Sequence, residues 1–83
     1  MDKERYFLHF KGGLYKLVST AYHSETLEEL IVYQALYGER KTWARPKDMF
    51  FSTVCYEGKT VERFKEITKE KMLCLLHQLK ENT

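Results

Sequence analysis

Glycine is scarce in this chain, four residues in 83, and proline occurs once. That excludes flexible linkers and low-complexity segments, and no internal repeat is visible. It also leaves some turns to be made without glycine: "AYHSETLEEL" puts His23, Ser24, Glu25 and Thr26 between two apolar runs, where a hairpin usually has Gly or Asn. There are two cysteines, Cys55 and Cys74, with no CxxC spacing. A thiolate metal site is therefore unsupported, and free thiols in a reducing cytoplasm are expected. No run approaches the roughly 20 apolar residues of a membrane span. The start, "MDKERYFLHF", lacks the apolar core of a signal peptide.

An excess of one charge is also missing. Fourteen Lys and Arg against twelve Asp and Glu give a net charge of +2. The charge is spread evenly along the chain, and only Arg40, Lys41, Arg45 and Lys47 form a local basic group. Strong sequence-independent binding to DNA needs a basic face, so nucleic acid is a weak expectation.

What the chain does have is aromatics: six Tyr, five Phe and one Trp. Each can bury roughly 150–250 Å², enough to give 83 residues a single core. One domain over 1–83 is expected. Lys11-Gly12-Gly13 is the clearest turn. "LYKLVSTAY" (14–22) reads as a strand, "LIVYQALY" (30–37) as a second and Thr42–Arg45 as a short third, stopped by Pro46. "KDMFFSTV" is a helical turn or a fourth strand, "YEGK" is a tight turn, "TVERFKEI" is a last strand, and residues 1–8 are a lead-in. From Thr68, a plausible N-cap, Met72, Leu75, Leu76 and Leu79 make one helical stripe to about residue 81. About five short strands with tight turns predict a mainly β fold. The expected form is a small, strongly curved, SH3-like barrel over 6–67, with the helix (68–81) laid on it.

These residues carry a resemblance. "HFKGG", "HSET", "VYQALYG", "WARPKDMF" and "ERF", in that order over roughly residues 6–67, resemble the bacterial family known as domain of unknown function 1653. Leu27 stands where that family commonly has Gly, Ala44 where it has Val, and Glu62 where it has Pro. The resemblance implies no activity, so candidate residues rest on chemistry.

His23 and Glu25 alternate about Ser24, so on an extended chain they share a side. They could exchange a proton as a general base; alternatively His23 and Thr26 satisfy backbone groups of a turn. "HSE" matches the H-x-E of zinc deaminases, but no P-C-x-x-C follows to complete the metal shell. "KGG" lacks the rest of a phosphate loop. His9 could approach His23, yet no spacing demands a metal. No cofactor or metal is expected.

Trp43 and Arg45 share a strand face, a ring beside a guanidinium that suits a flat or anionic ligand. The competing reading buries Trp43 and pairs Arg45 with Glu25 or Asp48. Arg63 could join the same face. Tyr15, Tyr33, Tyr37, Phe50 and Phe64 read as core rather than stacking platform. The first expectation is a ligand-binding module for a small anionic or nucleotide-like molecule or a nucleic-acid end. Trp43, Arg45 and Arg63 would contact it, with His23 and Glu25 at the rim and His23 close to Arg45. The alternatives are a small enzyme using a His23–Glu25 pair with an Arg45 anion clamp, and a protein-interaction adaptor.

Overall fold

The computed structural model describes residues 4–81, with side chains described as far as Gln78. Seven strands and two helices follow one another: β1 (Tyr6–His9), β2 (Leu14–Tyr22), β3 (Glu29–Ala35), β4 (Thr42–Pro46), α1 (Lys47–Phe50), β5 (Thr53–Tyr56), β6 (Lys59–Glu62), β7 (Phe64–Ile67) and α2 (Lys69–Glu81). Five strands form an antiparallel sheet in the order β4-β3-β2-β1-β7, and β5 and β6 form a separate hairpin. The mainly β class with a C-terminal helix is as expected. The closed barrel of five strands is not: β4 and β7 remain the two edges of an open sheet.

Three local expectations are corrected. Residues 6–9, which overlap the end of the expected lead-in, form a strand between β2 and β7. "KDMFFSTV" divides into the single helical turn of α1 and the start of β5. "TVERFKEI" is two strands rather than one, broken at Arg63. The Arg63 N–H donates to the Ser52 carbonyl at 2.9 Å, extending the β5–β6 ladder. Its carbonyl accepts from Phe10 N–H at 3.0 Å, extending the β1–β7 ladder. The chain changes sheets within that one residue.

Pairing fixes which side chains share a face. Phe7 stands opposite Tyr15, Leu17 opposite Tyr33, His9 opposite Phe64, Tyr33 opposite Trp43 and Ile31 opposite Arg45. This face carries the main core of Phe7, Ile31, Tyr33, Phe50 and Phe64, with Tyr15 and Leu17 packed against it. The Phe50 and Phe64 rings stack at 4.1 Å between centroids and 4° between planes. Phe50 reaches them from α1, a turn too short to persist alone. Between Leu17 and Ser19 the β2–β3 register slips, leaving Val18 as a bulge.

Tyr6 and Leu14 alternate to the opposite face and are also buried. Helix α2 lies against β1. Thr68 caps it as expected, its Oγ1 accepting the Lys71 N–H at 3.0 Å. In its stripe Met72 is buried and Leu75 and Leu76 are half-buried, while Leu79 lies outside the described side chains. No described helix is long and apolar enough to cross a membrane. The β5–β6 turn holds Glu57 at φ 53° and Gly58 at φ 79°. Two consecutive positive angles give the mirror-image turn that suits strand twist, which glycine makes readily at its second position. Cys55 and Cys74 are both free and exposed.

Candidate functional site

Strand β4 is a sheet edge, which is why Pro46 is tolerated at its end. Its pleat turns Trp43 and Arg45 to the core side of the sheet. Trp43 stays half exposed, so it is not a core residue. Arg45 is drawn inward. Its Nε donates to the Tyr33 hydroxyl at 3.2 Å. Its guanidinium carbon stands 5.8 Å from the centre of the Phe64 ring, within cation–π range. Neither Glu25 nor Asp48 bonds it among the described residues.

Arg63 reaches the same region from the corner between β6 and β7. Its Nε donates to Ser52 Oγ at 3.1 Å, and the Ser52 hydroxyl donates to the Met49 carbonyl at 2.6 Å. Arg45 and Arg63 are both half-buried. A guanidinium offers five N–H donors, and here each has a single hydroxyl partner. The ion pairs among the described residues lie elsewhere: Arg5–Glu66, Lys16–Glu4, Lys41–Glu39 and Lys47–Glu29.

His9 lies within electrostatic reach of both arginines. Its ring lies 4.9 Å from that of Phe64. Burial, then the charges of Arg45, Arg63 and Lys11, hold its pKa below the ordinary 6.5. His9 Nδ1 accepts the Lys11 N–H at 3.2 Å, which leaves the proton of the neutral ring on Nε2. Tyr15 stands beside it, its hydroxyl 2.6 Å from that of Tyr37. Burial, then that hydrogen bond, push the Tyr15 pKa up, with Arg45 opposing. Gly13 makes the pairing possible, since a Cβ there would stand 3.0 Å from the Tyr15 ring and 3.1 Å from the Tyr37 hydroxyl.

His23 is held differently. Its Nδ1 accepts the N–H groups of Glu25 at 3.1 Å and Thr26 at 3.2 Å, and Thr26 Oγ1 accepts from Glu28 N–H at 3.2 Å. The link between His23 and Glu25 therefore runs through the Glu25 backbone. "HSET" is a turn built from side-chain acceptors, with Leu27 at φ 64° in the left-handed position. The structure does not bring His23 to Arg45. Thr20, Ile31 and Arg45 stand level across three strands, and His23 follows three residues beyond Thr20. Strand rise and spacing then separate the two Cα positions by roughly 14 Å. Arg45 also leans toward Tyr33, farther from that turn than Ile31.

Of the aromatic set, Tyr33, Phe50 and Phe64 are buried, Tyr15 is half-buried and Tyr37 is exposed. In the sequence His9 reads only as a neighbour of His23; its approach to Arg45 and Arg63 depends on β1, an element without a sequence signal. Ser52 had no signal at all. Among the described residues no group of three His, Cys, Asp or Glu is placed to hold a metal ion.

No curated protein matches the chain. Among solved structures it is similar to the crystal structure of a DUF1653 protein from Bordetella bronchiseptica. The two are 25% identical, with a TM-score of 0.71, over 80% of this chain and 87% of that one. The family model described as "Protein of unknown function (DUF1653)" matches residues 5–66. With most of its sheet, both arginines and His9 inside that match, this chain belongs to the DUF1653 family.

Proposed function

We propose that this domain is a binding module for a small anion, held between Arg45 and Arg63 with His9 beside them. The observation that carries the reading is two half-buried guanidinium groups, both within electrostatic reach of His9 and neither bonded to a carboxylate among the described residues. Half-burying two cations around one histidine is costly without a counter-charge. A phosphate or carboxylate supplies that charge and accepts from the planar guanidinium donors in pairs. His9, with its proton on Nε2, adds a neutral donor. Arg45 is steadied by Tyr33 and Phe64 and Arg63 by Ser52, so little side-chain freedom remains to be lost on binding.

A thermal-shift series in low salt tests this, with inorganic phosphate, pyrophosphate and citrate as probes. An anion at a hundred times its Kd stabilises the fold by about 2.7 kcal/mol. That corresponds to roughly 10–20 °C in a domain of this size. The shift should disappear in Arg45→Gln and in Arg63→Gln. If no anion moves the Tm, or the shift survives in both variants as general salt stabilisation, the proposal is overturned.

A further inference from the structure

Along β4 from Arg45 lies a small cleft that the anion itself does not need. It measures about 160 Å³ and is lined by Trp43, Tyr37 and Ala35 together with Arg40 and Lys41. Pockets that enclose whole drug-sized ligands run to roughly 300–1,000 Å³, so this one has room for a single ring system. Its walls suit a flat aromatic ring: an indole and a phenol, both substantially exposed where polar side chains would be expected. Both walls are positioned by contacts already described. Trp43 stands across the ladder from Tyr33, and the Tyr37 hydroxyl is tied to that of Tyr15 at 2.6 Å.

The cleft and Arg45 are next to one another. Trp43 and Arg45 are two residues apart on one strand face, about 7 Å along the strand. Tyr33, which faces Trp43 across the ladder, also accepts the Arg45 hydrogen bond. The charge around the cleft favours the same kind of molecule. Arg40 and Lys41 are basic, and Glu39, which also lines the cleft, is paired with Lys41 at 3.5 Å.

We infer that the ligand is a phosphorylated molecule with a flat ring, a nucleoside monophosphate in its simplest form. Its ring would enter the Trp43–Tyr37 cleft and its phosphate would meet Arg45 and Arg63. The inference rests on the anion-binding reading and goes beyond it by naming the ring and the place that takes it. The same chemistry is offered by a free nucleotide and by the phosphorylated end of a nucleic-acid strand.

Trp43 is the only tryptophan in the chain, so its emission, excited where tyrosine does not absorb, reports on the cleft directly. Four probes are titrated: inorganic phosphate, adenosine, adenosine 5′-monophosphate and a short 5′-phosphorylated oligonucleotide. Stacking of one base on an aromatic side chain should make the monophosphate bind at least about tenfold tighter than phosphate, with quenching of Trp43. Tyr37→Leu should remove most of that gain while phosphate binding, read by Tm, is unchanged. Arg45→Gln should weaken both. A circular-dichroism melt confirms that each variant is folded; Tyr37 is exposed, so its replacement leaves the core intact. An oligonucleotide tighter than the monophosphate assigns the ligand to a strand end, and one no tighter assigns it to a free nucleotide. If phosphate binds but the monophosphate binds no tighter and leaves Trp43 emission unchanged, the ring inference is wrong and the anion site stands. If neither binds, both readings fall.

Discussion

Replacing Phe50 by Ala removes the centre of the aromatic core. Its ring is fully buried. It stacks on Phe64 at 4.1 Å and meets Phe7 at 5.1 Å, Tyr33 at 5.2 Å and Phe51 at 5.0 Å edge-on. Truncating a buried Phe to Ala costs roughly 3–5 kcal/mol. The upper part of that range is expected, because α1 has four residues and loses its buried anchor with the ring. A domain of 83 residues is stable by about 4–12 kcal/mol in all, so Phe50→Ala removes at least a third of that and can unfold it. Phe50→Leu is the measurable companion. Leu restores most of the apolar area but none of the ring geometry, and aromatic pairs contribute about 0.5–1.5 kcal/mol each beyond area. With partial compensation the expected loss is about 2 kcal/mol. Urea unfolding followed by circular dichroism reads it: at about 1 kcal/mol per molar urea, the midpoint falls by roughly 2 M with m unchanged. A Phe50→Ala cost below about 1 kcal/mol would refute the stacked pair as the centre of the core.

Three further outcomes follow from the turns, the basic face and the paired carboxylates. Leu27→Gly should stabilise the domain by up to about 1 kcal/mol in the same urea assay. Leu27 is exposed, at φ 64°, where a side chain costs roughly 1–2 kcal/mol and glycine returns part of that as chain entropy; a loss of stability would contradict the strain. Stability should also fall as pH drops below about 6.5. His9 has a folded pKa below 6.5, so the unfolded chain takes up a proton that the folded one refuses, and the contribution is complete only above that value. His9→Gln should flatten this limb. A separate acid limb, below about 4.5, should persist, because Glu4 and Glu66 are held below that value by Tyr6 with Lys16 and by Arg5.

The elements legible in the sequence are those whose surroundings differ on their two sides or whose period is long. Strand β2 shows its Tyr, Val and Thr, β4 ends at its Pro, and α2 shows Met72, Leu75 and Leu76 at helical spacing. Strand β1 escaped because both its faces are covered: Tyr6 and Phe7 are buried side by side, so no alternation marks it. Strand number and short turns suggest a barrel, whereas closure depends on whether β4 meets β7, a long-range pairing with no local signature. At the candidate site, Trp43 with Arg45 was visible as a two-residue spacing along one strand. The company of Arg63 was only a possibility, since it depends on how the chain turns after Glu62. His23 attracted attention by its chemistry, but its Nδ1 is occupied by its own turn.

That turn after Glu62 has a mechanical consequence. The amide of Arg63 is clamped by one β-ladder and its carbonyl by the other, with no slack residue between them. The hairpin therefore cannot tilt on the main sheet without rotating the Cα of Arg63 and swinging its guanidinium. A molecule gripping Arg63 and Arg45 together would act as a brace across the joint. Conversely, any force that levers the hairpin outward would be felt first at Arg63, whose backbone holds both ladders.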